Sequence, residues 1–365
     1  MLSPEAPGNS VVLLVRTELS DDVVEGIRLY CRVAGNDFDE GTVRTRWLRW
    51  NCQNPHGFGY FVLAKDGDRV VGCYGVIPIL MRLGGRNVIG GKGEYQVVDP
   101  SYLKATDPTE KCFLPQAIVN RAFREAQAHG IEALHANPSP SAQFSIYKAG
   151  ALPVKTKIRQ YVAFSNARKF AWPGVQAHRR SLLIAIAGRA ATAVCRAFFS
   201  LARWPSIRRY AVQQGGFPET LPLPEGNQAL ASTREMLDFR YPREDYVLLR
   251  LQRAGADVAL FVLSRPRRNG MVLLSHWEPW DLPPEQWCAG LNAAFQVCRR
   301  SGATLMIADV PASVDVGLLR KTGFLLRQTK TTTLFVFSRN ENLCRSRDQG
   351  QWCLTNSHLW LYQDR

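Results

Sequence analysis

No run of about 18 uncharged apolar residues occurs in the 365-residue sequence, so a membrane-spanning helix is not expected. The opening "MLSPEAPGNSVVLLVRTELSDD" has neither a basic n-region nor a long apolar h-region; it reads as a ragged start running into a strand, which points to a cytoplasmic protein. Nine cysteines form no CxxC pair and no Cys/His cluster of zinc spacing. An odd, scattered set of this kind reads as reduced, mostly buried thiols. Six histidines supply no HExxH or similar motif, so no metal is expected. Acidic residues are missing altogether from 165–210, which carries nine Arg or Lys. That segment holds much of the net charge of +15, and the rest of the chain is only modestly basic.

What is present belongs to a folded globular protein: 46% apolar and 21% charged residues, over a length that calls for two ordinary domains. The first part reads as mixed α/β. "SVVLLVRTEL" is a strand, and "DDVVEGIRLYCRVAG" is a helix with an acidic start and apolar spacing at Val23, Ile27, Tyr30 and Ala34. "FGYFVLAKDGDRVVGCYGVIPILMRLGG" is a hairpin turning at Lys65-Asp66-Gly67-Asp68. "VIGGKGEYQVVDP" is a strand, "KCFLPQAIVNRAFREAQAHG" an amphipathic helix ending at Gly130, and "IEALHAN" another strand. A Ser-rich turn and a short helix follow in "PSPSAQFSIYKAG", and "KIRQYVAFS" closes the unit as a strand.

Part of this pattern recurs. "HANPSPSAQFSIYKAG" (135–150) aligns with "ADVPASVDVGLLRKTG" (308–323), pairing Pro138 with Pro311, Lys148 with Lys321 and Gly150 with Gly323. "NRAFREAQAHG" (120–130) aligns with "NAAFQVCRRSG" (292–302). The hairpin pattern of the first half returns in "DYVLLRLQRAGADVALFVLS" (245–264). The common order implies an internal duplication of one α/β unit.

Between the copies, Arg189, Arg196 and Arg203 recur at seven-residue spacing. On a helix they share one face, opposite Leu183, Ile184, Ala187, Val194, Phe198 and Leu201. Two readings stay open: a helix packed on the domains with its arginines in water or ion pairs, or a helix lying on an anionic membrane surface. Nucleic acid ranks lower, since no DNA- or RNA-binding module is recognisable.

The order of elements, with "WLRWNCQNPHGFGYFVLAKDGDRVVG", "GEYQVVDPSY" and "NPSPSAQFSIYKAG", resembles the GNAT N-acyltransferases, and in particular a tandem GNAT acyltransferase with FemAB-like character. The resemblance covers roughly 11–164 and 231–340. It implies two tandem GNAT-like units, each a mixed, splayed sheet flanked by helices, with a first domain at 1–164, a basic helical linker at 165–230 and a second domain at 231–365. It further implies transfer of an acyl group from acyl-CoA to an amine or hydroxyl of a small-molecule, sugar or peptide-like acceptor, such as a polysaccharide precursor. A FemAB-like variant would draw on aminoacyl-tRNA. Glu94 would be the base, Tyr147 the acid, and Asn137 would end the splayed strand. Val97 and Val98 would offer backbone groups to pantetheine.

One departure is plain. Where the family carries a glycine-rich pyrophosphate loop, this chain has "PSYLKATDPTEKCFLPQAI" without glycine, so the phosphates would fall to Lys104 or Lys111. The second copy offers His276 and Glu278 but no phosphate loop, and Arg320 stands where the first has Tyr147. The alternative function is therefore a non-catalytic GNAT-fold binding or scaffold protein at the membrane surface, with a peripheral position on the inner face of the cell membrane.

Overall fold

The computed structural model describes residues 11–107, 111–139, 141–165, 183, 186–194, 209–218, 227–228, 233–266, 270–279, 282–311, 322–338 and 352–353. Arg196, Arg203, Arg320 and Lys321 lie outside these residues. In chain order the elements are β1 (Val11–Arg16), α1 (Asp21–Ala34), α2 (Glu40–Trp47), β2 (Tyr60–Asp66), β3 (Arg69–Leu83), β4 (Arg86–Val98), β5 (Thr106–Asp107), β6 (Cys112–Phe113), α3 (Leu114–Ala128), β7 (Ala133–Ala136), α4 (Gln143–Lys148) and β8 (Leu152–Phe164). There follow α5 (186–194), then β9 (Tyr210–Gln214), β10 (Asn227–Gln228), α6 (Arg234–Arg240), β11 (Tyr246–Arg253), β12 (Ala256–Ser264), β13 (Met271–Glu278), α7 (Pro284–Arg300), β14 (Leu305–Pro311), β15 (Leu325–Ser338) and β16 (Trp352–Cys353). Among the described residues no helix is long and apolar enough to cross a membrane.

Two compact units emerge, one of residues 1–155, 229–231 and 333–351, the other of 156–228, 232–332 and 352–365. The first is a sheet of order β1-β2-β3-β4-β7-β15. Neighbours are antiparallel except β4 and β7, which run parallel. The second unit repeats this plan as β9-β11-β12-β13-β14-β8, with β13 and β14 its parallel pair. In each unit a helix, α3 or α7, makes the crossover between the parallel strands, as parallel neighbours require. The expected duplication is thus visible in topology, strand for strand.

The sixth strand is the unexpected part. "KIRQYVAFS", read as closing its own unit, is a strand, but residues 158–164 pair with Pro311–Leu305 in the second sheet. The first sheet is closed by Phe335–Ser338 against Ala136–Ala133. Each sheet therefore takes its last strand from the other half of the sequence. The stretch expected as a linker also supplies β9, the edge strand of the second sheet.

Local chemistry explains the elements of the first unit. Ser20 caps α1 by accepting from the Val23 N–H, and Asp21 and Asp22 sit at the positive end of its dipole. Gly35, at φ +67°, ends it in the left-handed region. Its apolar face (Val23, Ile27, Leu29) and α2 (Val43, Trp47) pack on one side of the sheet with Phe61, Leu63 and Val97. The other side packs Tyr60, Val62, Tyr74 and Val76 against Leu114, Ile118, Ala122 and Phe123 of α3. In the second unit α7 lays Trp287, Leu291, Ala294 and Phe295 on Phe261, Leu263 and Leu274.

The helix expected in 165–210 exists over 186–194, but its buried side is not the one expected. Gly188 and Thr192 face inward: a Cβ on Gly188 would lie 2.4 Å from the Phe164 ring. The Phe164 N–H donates to Thr192 Oγ1 at 3.3 Å. Leu183, Ile186 and Val194 are exposed instead, because only small residues let the helix backbone approach the strand so closely.

Candidate active site

β4 and β7 pair only over Gly90–Gly93 and Ala133–Ala136. Past Gly93 the ladder between them stops, and Gln96–Val98 continue alone along the β3 side. At that point β4 carries a bulge: Gly75 faces Glu94 and Cys73 faces Val97, so one extra residue sits in β4. Tyr95 takes up the irregularity at φ +54°, a left-handed conformation that costs a non-glycine residue about 1 kcal/mol or more. Bulges re-aim side chains and free backbone groups. Here the bulge sits where the two parallel strands part.

A cavity of about 530 Å³ opens beside it. Its walls are Gln96, Val97 and Val98 of β4, Tyr30 and Val33 of α1, Gln116 of α3, and Ser141, Phe144 and Ser145 at α4. Pro100, Leu103, Phe113 and Pro115 complete it from the connection between β4 and α3. Gln96 Nε2 donates to Ser145 Oγ at 2.7 Å, and Ser145 Oγ donates to the Ala142 carbonyl at 2.9 Å. The serine proton is thereby used, which fixes the amide nitrogen towards Ser145. Among the described residues Gln96 Oε1 is left buried without a donor. A buried acceptor in this state at a cavity wall suits an amide N–H of a ligand.

Glu94 stands at the bulge, beside three tyrosines. It is ion-paired to Lys92, whose side chain is 3% exposed. His135 sits opposite Lys92 in the parallel register and is also buried. Tyr30 both lines the cavity and packs edge-on against Tyr95, with ring centroids 5.4 Å apart. Burial, and then the Glu94 charge, push the Tyr30 hydroxyl up to about 12. Tyr74 and Tyr95 are raised further by the same two causes. All three hydroxyls thus keep their protons near neutral pH, around a carboxylate that can take one.

The other residues singled out in the sequence fall as follows. Val97 and Val98 line the cavity. Asn137 follows the last residue of β7, half-buried. Tyr147 lies one turn beyond Phe144 on α4, is 55% exposed and is not among the lining residues. Lys104 and Lys111 are exposed and stand off the cavity wall, where Leu103 and Phe113 take their place. Tyr30, Lys92, Gln96 and Ser145 were not anticipated. Tyr30 shows in the sequence only as one member of an apolar helix face, and Gln96 only as a polar residue on a strand.

The start of the connection from β4 to α3, at 99–102, is held by side-chain hydrogen bonds without glycine. Asp99 caps a short 3₁₀ turn (Pro100–Tyr102), accepting from Ser101 N–H at 3.0 Å and Ser101 Oγ at 2.6 Å. Those hydrogen bonds lead in holding the Asp99 carboxyl below its usual range, and Arg69 at 2.6 Å adds to them. Tyr102 donates to Asp66 at 2.6 Å. Lys111 sits in a left-handed conformation, at φ +50°, before β6. The freed β4 edge and Gln96 thus offer backbone and amide partners to an extended ligand bearing amide groups. The cavity offers no glycine cradle for a pyrophosphate. Among the described residues no group of three or more His, Cys, Asp or Glu is placed to hold a metal.

No protein-family model and no curated protein matches the chain. Solved structures do. A GCN5-related N-acetyltransferase from Kribbella flavida matches over 91% of this chain and 73% of its own, with a TM-score of 0.53 at 12% identity. A tandem GNAT protein from the clavulanic acid biosynthesis pathway matches over 90% and 98%, with a TM-score of 0.50 at 12% identity. The chain has a tandem GNAT fold. The N-myristoyltransferase of Saccharomyces cerevisiae, with bound myristoyl-CoA, is similar over 90% of this chain and 83% of its own, with a TM-score of 0.50 at 11% identity. In the GNAT-fold units described here the plan is kept twice. β13 is bulged between Leu274 and His276, at the corresponding point past its parallel pairing with β14.

The second unit fills that point differently. His276 and Glu278, 1% and 3% exposed, lie 2.8 Å apart, with Arg240 buried in the same unit. Burial first, then Arg240, lowers the His276 imidazole to about 3. Burial raises Glu278 well above the usual carboxylate range. Two tyrosines stand nearby: the Tyr241 ring lies 5.6 Å from His276, and Tyr246 Oη is 3.2 Å from Arg240.

Proposed function

We propose that the protein is an N-acyltransferase that moves an acyl group from acyl-CoA to an amine or hydroxyl of a sugar or peptide-like acceptor, using the first unit. The observation that carries this reading is the bulged β4 at the cavity, with its freed edge at Gln96–Val98 and Glu94 beside Tyr30. The pantetheine arm lies along the β4 edge, with an amide N–H on Gln96 Oε1. Glu94 takes a proton from the acceptor, directly or through water, as its nitrogen or oxygen bonds to the thioester carbonyl carbon. The C–S bond breaks, and the thiolate takes a proton from a tyrosine hydroxyl. Tyr30 is the tyrosine at the cavity wall; Tyr147, exposed on α4, is the one the family resemblance names. Backbone groups near the bulge polarise the carbonyl. Aminoacyl-tRNA as donor is less suited to so apolar a wall. The second unit is architectural.

Calorimetry with acetyl-CoA and a longer acyl-CoA tests donor binding. Mass spectrometry of an amine panel incubated with each donor tests transfer. Binding that disappears on Gln96→Glu supports the reading, and no donor binding at all sinks it.

A second reading adds a membrane. Leu183, Ile186 and Val194 are 67%, 52% and 55% exposed around exposed Arg189, in a segment with nine cations and no acid. Such a helix suits an anionic bilayer surface. Co-sedimentation with anionic vesicles that is abolished by Ile186→Glu with Val194→Glu supports it, and no binding at low salt removes it.

A further inference from the structure

We propose that the acyl group reaches the cavity on the phosphopantetheine arm of a small acidic carrier protein, which docks on the cavity rim. This rests on the acyl-transfer reading and narrows its donor. The same thioester arrives tethered to a protein, and CoA thioesters are the weaker donors.

The first argument is the rim. Val33, Leu103, Phe113 and Phe144 line the cavity and are 46%, 50%, 55% and 63% exposed. Four large apolar side chains left in water around one opening are more than the scattered exposure of an ordinary surface. They stand where the pyrophosphate and nucleotide of CoA would leave the arm, next to the start of α3. A pyrophosphate held against Leu103, Phe113, Pro100 and Pro115 would give up water without gaining N–H partners. Pro115 removes one of the donors that a helix start would supply. A protein partner gains from covering the same side chains.

The second argument is the arm. The cavity has what pantetheine needs: a freed strand edge and an unpaired acceptor at Gln96. A carrier-borne arm has one phosphodiester, at its protein end, so it calls for no glycine cradle. The two halves of the site, suited to the arm and unsuited to the nucleotide, then have a single explanation.

The third argument is charge. Arg32, Lys104, Lys111 and Lys148 flank the rim in sequence and are exposed. Among the acids there, Asp99 and Asp107 are buried, with Asp99 held by Arg69 and Arg32, and Glu110 precedes Lys111 in the sequence. Asp37, beyond the end of α1, is exposed. Much of the chain's net charge of +15 lies in 165–210, so the rim cations themselves bear this argument. An acidic partner is steered towards such a surface, and the steering weakens with salt. In the reaction the acceptor bonds to the acyl carbon, the C–S bond of the arm breaks, and the arm thiolate takes the proton from the tyrosine. The carrier leaves with a free thiol.

The test compares one acyl group on three handles. A fatty-acid acyl carrier protein with an octanoyl-amide arm, octanoyl-amide CoA and octanoyl-amide pantetheine are titrated by calorimetry. The carrier conjugate is expected to bind at least about tenfold more tightly than the CoA conjugate, and less tightly as salt rises. Leu103→Glu with Phe113→Glu is expected to lower carrier affinity at least about tenfold more than it lowers pantetheine-conjugate affinity, with the melting temperature unchanged, since both side chains are half-exposed. Equal or tighter binding of the CoA conjugate overturns the proposal, as does carrier binding indifferent to the double variant. If anionic vesicles bind in its place and release with that variant, the rim meets a bilayer and the proposal falls. If neither small conjugate binds, the acyl-transfer reading itself has failed, a distinct result.

Discussion

At the scale of single residues, the carboxylate at the β4 bulge is the centre of the chemistry. Glu94→Gln keeps the shape and removes the base, so acyl transfer should fall about a hundredfold to ten-thousandfold. Lys92→Met breaks a buried ion pair by removing one partner, and should cost about 3 kcal/mol in denaturant melts. Tyr30→Phe and Tyr147→Phe form a pair of tests: the tyrosine that protonates the thiolate should cost about a hundredfold or more when its hydroxyl is lost, the other little. A folded Glu94→Gln protein with full turnover would move the base elsewhere. His276 gives a separate prediction. Its folded value is about 3, below the usual 6.5, so the neutral ring contributes stability above about pH 6.5 that is lost as pH falls towards 3. Glu278 has the opposite sign: raised in the fold, it contributes at low pH and loses that contribution as pH climbs through its folded value. His276→Gln should therefore make melting temperature fall less, or rise more, on going from about pH 6.5 towards 3; an unchanged slope would show that His276 does not set it.

At the scale of elements, close approach to glycine decides much of the site. A Cβ on Gly93 would lie 1.9 Å from Tyr74 Oη and 3.2 Å from the Ala136 Cβ, at the last paired residue before β4 and β7 part. Gly93→Ala should force Tyr74 aside, cost about 1–3 kcal/mol and weaken donor binding together with stability. Unchanged melting and donor affinity would mean that the strands tolerate a wider separation. Elements of this kind were legible in the sequence wherever local chemistry is strong. The Asp66-Gly67 turn, the acid-capped α1 and Gly130 after α3 each carry their signal in three or four residues. Glu94, Val97 and Val98 were named through the resemblance of "GEYQVVDPSY" to a strand of the GNAT family, not from local chemistry. The bulge could not be read, since Tyr95 gives no sign of adopting φ +54°. Nor could the cavity role of Leu103 and Phe113, which depends on how a loop without glycine folds back. Of the two readings of the α5 face, the one that packs its apolar side on the domains fails for a related reason. Apolar spacing favours Leu183 and Val194, but the approach to Phe164 admits only Gly188 and Thr192.

At the scale of the whole molecule, the duplication was legible and the exchange of strands was not. Repeated composition reveals two copies of a unit, but strand partners of 149 residues' separation, such as Gln160 and Asp309 with their 2.8 Å hydrogen bond, leave no local trace. The consequence can be tested by cutting the chain between β9 and β10, within 219–226. The N-terminal fragment then carries β1 to β9 but lacks Phe335–Ser338, the strand that pairs with β7. Phe335 is 4% exposed in the core of that unit, and Phe337 stacks 4.2 Å from Phe123. Without them β7 becomes an open edge beside an uncovered apolar face, a setting that favours aggregation. The C-terminal fragment lacks both β8 and β9, and so loses a strand from each side of the β11-β12-β13-β14 sheet. Each fragment expressed alone should be insoluble or melt without a cooperative transition. Co-expressed, they should purify together and regain one. In the intact chain, Phe335→Ala should cost about 3 kcal/mol. The strand exchange would be refuted by an N-terminal fragment that is soluble, monomeric and cooperatively folded by itself, because its sheet would then be complete without the C-terminal half.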